Sequence, residues 1–334
     1  MADDPLDVLR RARQEAIDIT DKTSGRALYR ILERAEDDLA RRLENHRQLR
    51  PMPDGSFTRE QAKVTLAQIR TVMRTVVDKL GMVIPPMAED AAGEAADGVV
   101  DYLQSAEGKY RGINAPLALD EAAMSDAAIA GTRASVARRL MVEHPDGRGG
   151  GILQRYGYAV IERFERQLQV AVVTRKPFEE VRASFVEASP FLQQAPQSWA
   201  ARIARTELLG AYSRGAHESM KVANEELGDL VRILVAVFDS RTGADSVNTH
   251  GEVRRMGEPF EYVTDDGEHV MYMTPPDRPN DRGVVVAHRL VWGIPDSFRA
   301  KSDGQVEAAY RREKRKFPGR PRVMSTVKLR SPPR

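Results

Sequence analysis

Apolar residues recur every three to four positions through the first two thirds of the chain, which is the period of an amphipathic α-helix. The first set predicts a helix that runs through about residue 46 and comprises Leu28, Leu32, Ala35, Leu39 and Leu43. Later sets predict helices over about 119–142 and 178–187, and a long one marked by Leu153, Tyr156, Val160, Phe164, Leu168 and Ala171. The glycine-rich stretch 145–151 is predicted to be a hinge or an exposed connection. It is not expected to be a phosphate-binding loop, because no Gly-Lys-Ser/Thr follows it and no strand precedes it.

The start of a second helix is indicated by Thr58 and Gln61, which have the spacing of a capping box. An apolar seam suited to helix pairing or to an ordinary core follows it, at Ala62, Leu66, Ile69, Met73, Val76 and Leu80. Gly81 is placed to end this helix, and Pro85 and Pro86 predict an interruption before a short helix over about 87–110.

A helix over about 198–227 carries a stripe of mostly small residues. Spacings of four and three place on one face Ala200, Ala204, Leu208, Ala211 and Gly215. Because small side chains let another helix or a sheet approach closely, this helix is predicted to lie at the centre of the fold.

After Gly228 the pattern becomes strand-like. Residues 230–238 and 283–291 are apolar and rich in β-branched side chains, which predicts buried strands, and 261–263 with 269–273 flank a hairpin signal at 265–267. The sequence therefore predicts an α+β, predominantly helical protein. It consists of a helical body over 1–195, a small α+β module with its central helix over 196–293, and a basic extended tail over 294–334.

Charge is distributed unevenly along the chain. The formal net charge is only +2, but residues 311–334 hold ten Lys or Arg and one Glu, a net of +9, so the rest of the chain carries −7. One interpretation is that the tail binds DNA phosphates or an acidic partner, and the other is a solvated arm that aids solubility. The first interpretation rests on Arg311, Arg312, Lys314, Arg315, Lys316, Arg320 and Arg322.

Composition excludes several classes of protein. The chain has no cysteine, which excludes disulfide frameworks and thiolate metal sites. No stretch approaches the ~20 apolar residues that span a bilayer, and the acidic start lacks the apolar core of a signal peptide. We expect a soluble protein made in a cytoplasm, with no membrane partner and no cofactor.

Catalytic motifs are missing from the sequence, which contains no nucleophile elbow, no dinucleotide fingerprint and no pair of histidines with metalloprotease spacing. The remaining enzymatic interpretation is a metal site in which His250 and Asp245 converge with His269 or His288. Sets spread so widely arise often by chance, so the sequence predicts a protein that is not an enzyme and holds no metal.

Several short motifs occur in a fixed order over about 195–290. They comprise, in chain order, Arg205, Thr206, Glu207, Asp239, Arg241, Thr242, His250, Gly257, Pro275, Pro276, Pro279, Asn280 and Arg282. Their order and spacing resemble the Mu F-like family of phage head morphogenesis proteins. Many relatives carry cysteine pairs suggestive of a metal clip at positions that are here Gly243, Ser246, Asp281 and Gly283, so a zinc site of that kind is not expected.

The resemblance implies a virion structural protein, a minor head (capsid) protein present in several copies around the portal vertex and acting in head assembly. It implies the portal protein as a partner, with the major capsid protein and, through the basic tail, packaged double-stranded DNA as further candidates. The expected location is the capsid interior or the portal vertex. Two alternatives stay open, a metal-dependent hydrolase using the His/Asp site and a non-specific DNA-binding protein.

The motif residues also have a structural interpretation. Buried charges are costly unless paired, so we expect Arg205 to pair with Asp239 and Glu207 with Arg241, which would pin the strand and turn to the central helix. The Thr242 hydroxyl is placed to cap a following helix. The Pro-Pro pair would fix an extended approach to the last strand.

Overall fold

The computed structural model describes residues 25–45, 57–112, 116–141, 152–174, 176–177, 180, 195–236, 244–264, 269–275, 283–298, 304, 308, 311 and 323–324. Within these ranges the protein is α+β and predominantly helical, which confirms the predicted fold class. The predicted loop at 145–151 and most of the short helix predicted over 178–187 lie outside them.

The first two helices begin where the sequence predicts. Helix α1 spans Gly25–Asn45 and α2 spans Arg59–Arg111. At the start of α2 the capping box is present, because the Thr58 amide donates to Gln61 Oε1 at 2.8 Å and the Gln61 amide donates to Thr58 Oγ1 at 3.2 Å. Each side chain thus accepts from a backbone amide that lacks a partner within the helix.

The predicted end of this helix at Gly81 and the interruption at the proline pair are wrong. Helix α2 continues without a break through Gly81, Pro85 and Pro86 for 53 residues. Prolines in a helix interior cost ~3 kcal/mol or more each, because an amide donor is lost and the ring crowds the preceding turn. That cost is outweighed by burial along one face, where completely or almost completely buried positions continue on both sides of the pair at Leu80, Ile84, Ala88 and Ala92.

Three further helices match their predictions closely. They are α3 over Glu121–Met141, α4 over Ile152–Val173 and α5 over Ala195–Leu227. Helix α3 is capped by Asp120, whose Oδ1 accepts from the Ala123 amide at 3.0 Å.

The strands form two antiparallel sheets. In the described residues the first sheet has the order β2-β1-β5, where β2 spans Val253–Arg255, β1 spans Leu230–Val235 and β5 spans Val284–Arg289. The second sheet has the order β4-β3-β6, where β4 spans His269–Tyr272, β3 spans Phe260–Thr264 and β6 spans Val323–Met324. Strands β1 and β5 and the β3–β4 hairpin confirm the predictions. The sequence did not predict β2, β6 or the 3-10 turns Leu290–Trp292 and Asp296–Phe298. A helix was expected after Thr242, and the short helix α6 spans Ala244–Thr249.

By packing, the chain divides into two compact units. The first comprises Met1–Ile17, Ala88–Thr132 and Arg205–Arg334, and the second comprises Asp18–Met87 and Arg133–Ala204. The boundaries between the two units fall within α2, α3 and α5. The second unit buries apolar faces of α1, α2 and α4, and Arg70 of α2 lies 3.9 Å from Glu165 of α4.

The first unit holds the sheets and their core. Helices α2 and α5 approach so closely there that a Cβ added at Gly215 would lie 2.7 Å from the Ala92 Cα and 2.9 Å from the Ala92 carbonyl oxygen. The stripe of small residues predicted on α5 therefore makes the close helix contact expected of it, at the part of the stripe that the structure describes.

Candidate functional site

Part of the predicted motif set lies outside the described side chains. These residues are Arg205, Thr206, Asp239, Arg241, Thr242, Pro276, Pro279, Asn280 and Arg282, with Arg312, Lys314, Arg315, Lys316, Arg320 and Arg322 of the tail. Both predicted ion pairs and the Thr242 cap therefore stay predictions. Glu207 is buried on α5, with 2% of its surface exposed, whereas Gly257 and Arg311 are exposed and Pro275 is buried.

His250 joins the segment after α6 to the end of β1. The Ala236 amide donates to His250 Nδ1 at 3.0 Å, and the Gly251 amide donates to the Leu234 carbonyl at 2.7 Å. Gly251 has φ of +82°, a left-handed conformation that favours glycine. His250 thus serves as a buried acceptor that satisfies a backbone donor at the strand end.

Arg232, in the middle of β1, is completely buried and is held by backbone carbonyls. Its guanidinium donates to the Met273 carbonyl at 2.6 Å, to the Arg255 carbonyl at 3.2 and 3.3 Å, and to the Glu258 carbonyl. It also lies over the Phe260 ring at 5.0 Å. This cage ties the first sheet to the turn before β3 and to the end of β4.

Burial lowers the pKa of Arg232 to about 10, with Arg254 as the next contribution. The group remains charged at neutral pH, and its charge is balanced by aligned carbonyl dipoles in addition to more distant acidic groups. Such an arrangement of carbonyls is specific for arginine, because the planar guanidinium presents five donors in fixed directions.

A second arginine, Arg254 on β2, lies beside Arg232. Arg254 donates to Glu252 Oε2 at 3.0 Å and to the Pro259 carbonyl at 3.1 Å. Burial raises the pKa of Glu252 to about 7, although the charge of Arg254 acts in the opposite direction. The pair therefore joins a cation to a carboxyl group that gains or loses its proton near neutral pH.

Glu107 of α2 joins that helix to β5 and the turn after it. Its Oε2 accepts from Trp292 Nε1 at 2.7 Å and lies 3.6 Å from Arg289 Nη1. Arg289 Nε donates to Asp229 Oδ1 at 2.7 Å. These charged groups are mostly buried, and each contributes to a network that connects α2, β5 and the turn after β5.

His288 on β5 lies among the aromatic rings of Tyr110, Trp292 and Phe298. Its Nε2 donates to the Gly293 carbonyl at 2.7 Å, so its Nδ1 accepts from the Tyr102 hydroxyl at 3.1 Å. Burial lowers the pKa of His288, which favours the neutral ring over the charged one. Both ring nitrogens are engaged, so His288 would have to break a hydrogen bond to serve as the metal ligand of the hydrolase alternative.

His217 on α5 is a buried histidine of a different kind. Its Nδ1 has no hydrogen-bond partner among the described residues. Burial, followed by the charges of Arg232 and Lys221, lowers the pKa of His217 to about 3. The imidazole is therefore neutral throughout the physiological range.

No group of three or more acidic or histidine side chains in the described ranges lies close enough to hold a metal ion. None of the helices in those ranges combines the length and apolar character needed to cross a bilayer. A pocket between α2, α5 and β5, beside Tyr102 and Tyr212, has a cavity volume of about 20 Å³. That volume holds a water molecule and no organic substrate.

Sequence reasoning missed Arg232, Glu252, Arg254 and the Glu107 network. A signal was present for Arg232, since a single charged residue interrupts the apolar run of β1. A buried strand accepts such a residue only where carbonyls or carboxylates surround it. Nothing in the local pattern indicates where those partners lie.

Comparison of the chain with models of protein families, with curated proteins and with solved structures finds no match.

Proposed function

We propose that this chain is a minor head protein of a phage virion that docks at the portal vertex and acts in head assembly. The observation that carries the proposal is the order and spacing of the Mu F-like motifs between Arg205 and Arg282. The buried networks around Arg232 and Glu107 support a structural role, because their polar groups are engaged in holding elements together.

Exposed apolar side chains on helices supply candidate docking surfaces. On α4, Val170 and Val173 are 56% and 83% exposed, and they lie three residues apart on one face of its last turn. Met82 of α2 is 75% exposed. Apolar side chains presented in this way are typical of protein interaction sites when a partner covers them.

Capture of the portal protein of the same phage tests this role. We expect the wild-type chain to copurify with the portal protein when the two are coexpressed, and the Val170→Asp/Val173→Asp variant to lose most of this capture. Gln169→Asp is the matched control, since Gln169 is an exposed polar residue of the same helix. Absence of capture by the wild-type chain would contradict the portal assignment, and full capture by the double variant would contradict only the docking surface.

In this proposal the protein is not an enzyme, and its basic tail contacts the phosphates of packaged DNA. The hydrolase alternative predicts a stoichiometric metal ion in the purified protein, which metal analysis measures directly. The third alternative, a non-specific DNA-binding protein, predicts DNA binding without any affinity for the portal.

A further inference from the structure

Strand β2 is the more weakly held edge of the first sheet, as far as the described residues show. It pairs with β1 over three residues, whereas β5 pairs with β1 over six. The side chains of β2 are half-buried or exposed, in contrast to the fully buried β1. Just before β2 begins, the Leu234 amide of β1 donates to the Glu252 carbonyl at 3.0 Å. Opening of β2 therefore breaks fewer backbone pairs than opening of β5, and it exposes the Leu234 amide.

The carboxyl group of Glu252 is buried at the entry to this strand and is only partly satisfied. Its Oε2 accepts from Arg254 Nη2 at 3.0 Å, while its Oε1 has no hydrogen-bond partner among the described residues. Only 7% of the Glu252 side chain is exposed. A carboxylate oxygen that is removed from water without a donor is costly, and a proton on the group reduces that cost. The geometry of the docked strand therefore favours the protonated form of Glu252.

The charged groups of the second sheet do not supply the missing donor. On β3, the Glu261 carboxylate disfavours a second negative charge at Glu252, although the Glu261 amide acts in the opposite direction. On β4, His269 Nδ1 lies 3.9 Å from Glu261 Oε2, and the His269 side chain is 52% exposed. His269 thus faces Glu261 and solvent.

The polar groups on β1 and in the segments that flank β2 are engaged elsewhere. The Arg232 guanidinium of β1 donates to backbone carbonyls, and His250 Nδ1 accepts from the Ala236 amide. In the turn after β2, Glu258 Oε2 accepts from the Arg255 amide at 3.2 Å. Arg254 is therefore the one described cation that contacts the Glu252 carboxyl group.

We propose that Glu252 is a pH-sensitive latch for β2, which holds the strand against β1 while it is protonated and favours opening once it loses its proton. This device goes beyond the proposed function and does not depend on the portal role. When β2 leaves β1, the Glu252 carboxyl group reaches water, where its charged form is stable at neutral pH. Proton loss and opening therefore favour each other, and a rise in pH increases the population of the open strand.

The size and direction of the effect follow from the two ionisation states. Burial is the largest cause that raises the pKa of Glu252, to about 7 in the docked strand, from the ordinary 4.5 that applies once the strand is open. The protonated group thus contributes fully below about pH 4.5, and its contribution is lost as pH rises to about 7. Between pH 6 and pH 8 the open population should grow about tenfold.

Hydrogen exchange of single amides tests the latch in the intact wild-type chain. The Leu234 amide reports on the β2 edge, and the Leu290 amide, which donates to the Asp229 carbonyl at 3.1 Å, reports on the β5 edge. After correction for intrinsic exchange rates, we expect Leu234 to be less protected than Leu290. We also expect the protection factor of Leu234 to fall about tenfold from pH 6 to pH 8. Equal protection of the two amides, or a change at Leu234 of less than about twofold, overturns the proposal.

Two variants assign the pH dependence to one residue. Glu252→Gln keeps the shape of the side chain and removes its titration, so the protection factor of Leu234 should change by less than about twofold over the same range. His269→Gln is the matched control, because it removes an exposed titratable group of the second sheet. It should retain the fall of about tenfold. A tenfold fall that persists in Glu252→Gln, or that disappears in His269→Gln, contradicts the assignment to Glu252.

Titration of the Glu252 carboxyl carbon by NMR in the wild-type chain decides the question if Glu252→Gln does not fold. We expect a midpoint near the raised pKa of about 7. A midpoint below about pH 5.5 would show that the docked strand does not favour the proton, and the latch would be rejected. Capture of the portal protein is measured separately, so failure of the latch and failure of the proposed function are distinguishable.

Discussion

Replacing Arg232 by methionine is the sharpest perturbation of the fold. Methionine retains much of the side-chain length and packs in apolar surroundings, but it offers no donor. The carbonyls of Arg255, Glu258 and Met273 would each lose a hydrogen bond from the guanidinium. The variant therefore isolates the contribution of the cage from that of side-chain volume.

The magnitude follows from these contacts. A buried carbonyl left without its partner costs about 1–3 kcal/mol, so three of them cost about 3–9 kcal/mol in the simplest case. Part of this cost is offset, because the folded variant no longer has to bury a guanidinium. The desolvation of that group is the main reason why the pKa of Arg232 is lowered. We expect a net loss in the free energy of unfolding of about 3–5 kcal/mol.

Urea denaturation followed by circular dichroism measures this loss, with Arg255→Met as the matched control. Arg255 lies on the neighbouring strand with its side chain exposed and contributes only its backbone carbonyl to the cage. Its replacement should change stability by no more than about 0.5 kcal/mol. If Arg232→Met were as stable as Arg255→Met, the carbonyl cage would not hold the two sheets together and the reasoning would be refuted.

Three further expectations concern backbone approach and ionisation. Gly215→Ala should destabilise the protein by about 1–3 kcal/mol in thermal melts, because the added Cβ would overlap the backbone of Ala92. Gly93→Ala on α2 has open space around it and should stabilise the protein by about 0.5–1 kcal/mol in the same measurement. The folded pKa of Glu252, about 7, exceeds the ordinary 4.5, so the contribution of Glu252 to stability should fall as pH rises between these values. Relative to wild type, Glu252→Gln should gain about 2–3 kcal/mol between pH 4.5 and pH 8; a constant difference across urea titrations would rule this out. The folded pKa of His217, about 3, lies below 6.5, so His217 should contribute a loss of about 2 kcal/mol from pH 6.5 to pH 5. Relative to wild type, His217→Gln should gain about that amount over the same range, and an unchanged difference would show that this histidine is not responsible.

Much of the helical part of the fold is readable from local pattern. The capping box at Thr58 and Gln61 set the start of α2, and the period of apolar residues set α1, α3, α4 and α5 to within a few residues. These features are predictable because a helix records in its own sequence which face is buried and which amides need a cap. Strands β1 and β5 were found for the same reason, since continuous β-branched runs indicate burial on both faces.

The candidate site was predictable to a smaller extent. The motif residues directed attention to the α+β module, but the described buried charges that hold it belong mainly to other positions. Arg232 depends on carbonyls 23 to 41 residues away along the chain, and Trp292 on a carboxylate 185 residues away. Backbone carbonyls leave no trace in a sequence, because every residue has one.

Local periodicity therefore established the protein's class, its helices and its buried strands, since each of those properties depends on neighbours within a few residues. Long-range packing decided the passage of α2 through Pro85 and Pro86, the carbonyl cage of Arg232 and the docking of β6 on β3. In each of these cases the free energy comes from groups far apart in the chain, and it outweighs or supplements the local preference. The pairing of Val323 and Met324 with β3 makes the point most simply, because two residues carry no strand signal until a partner edge is placed beside them.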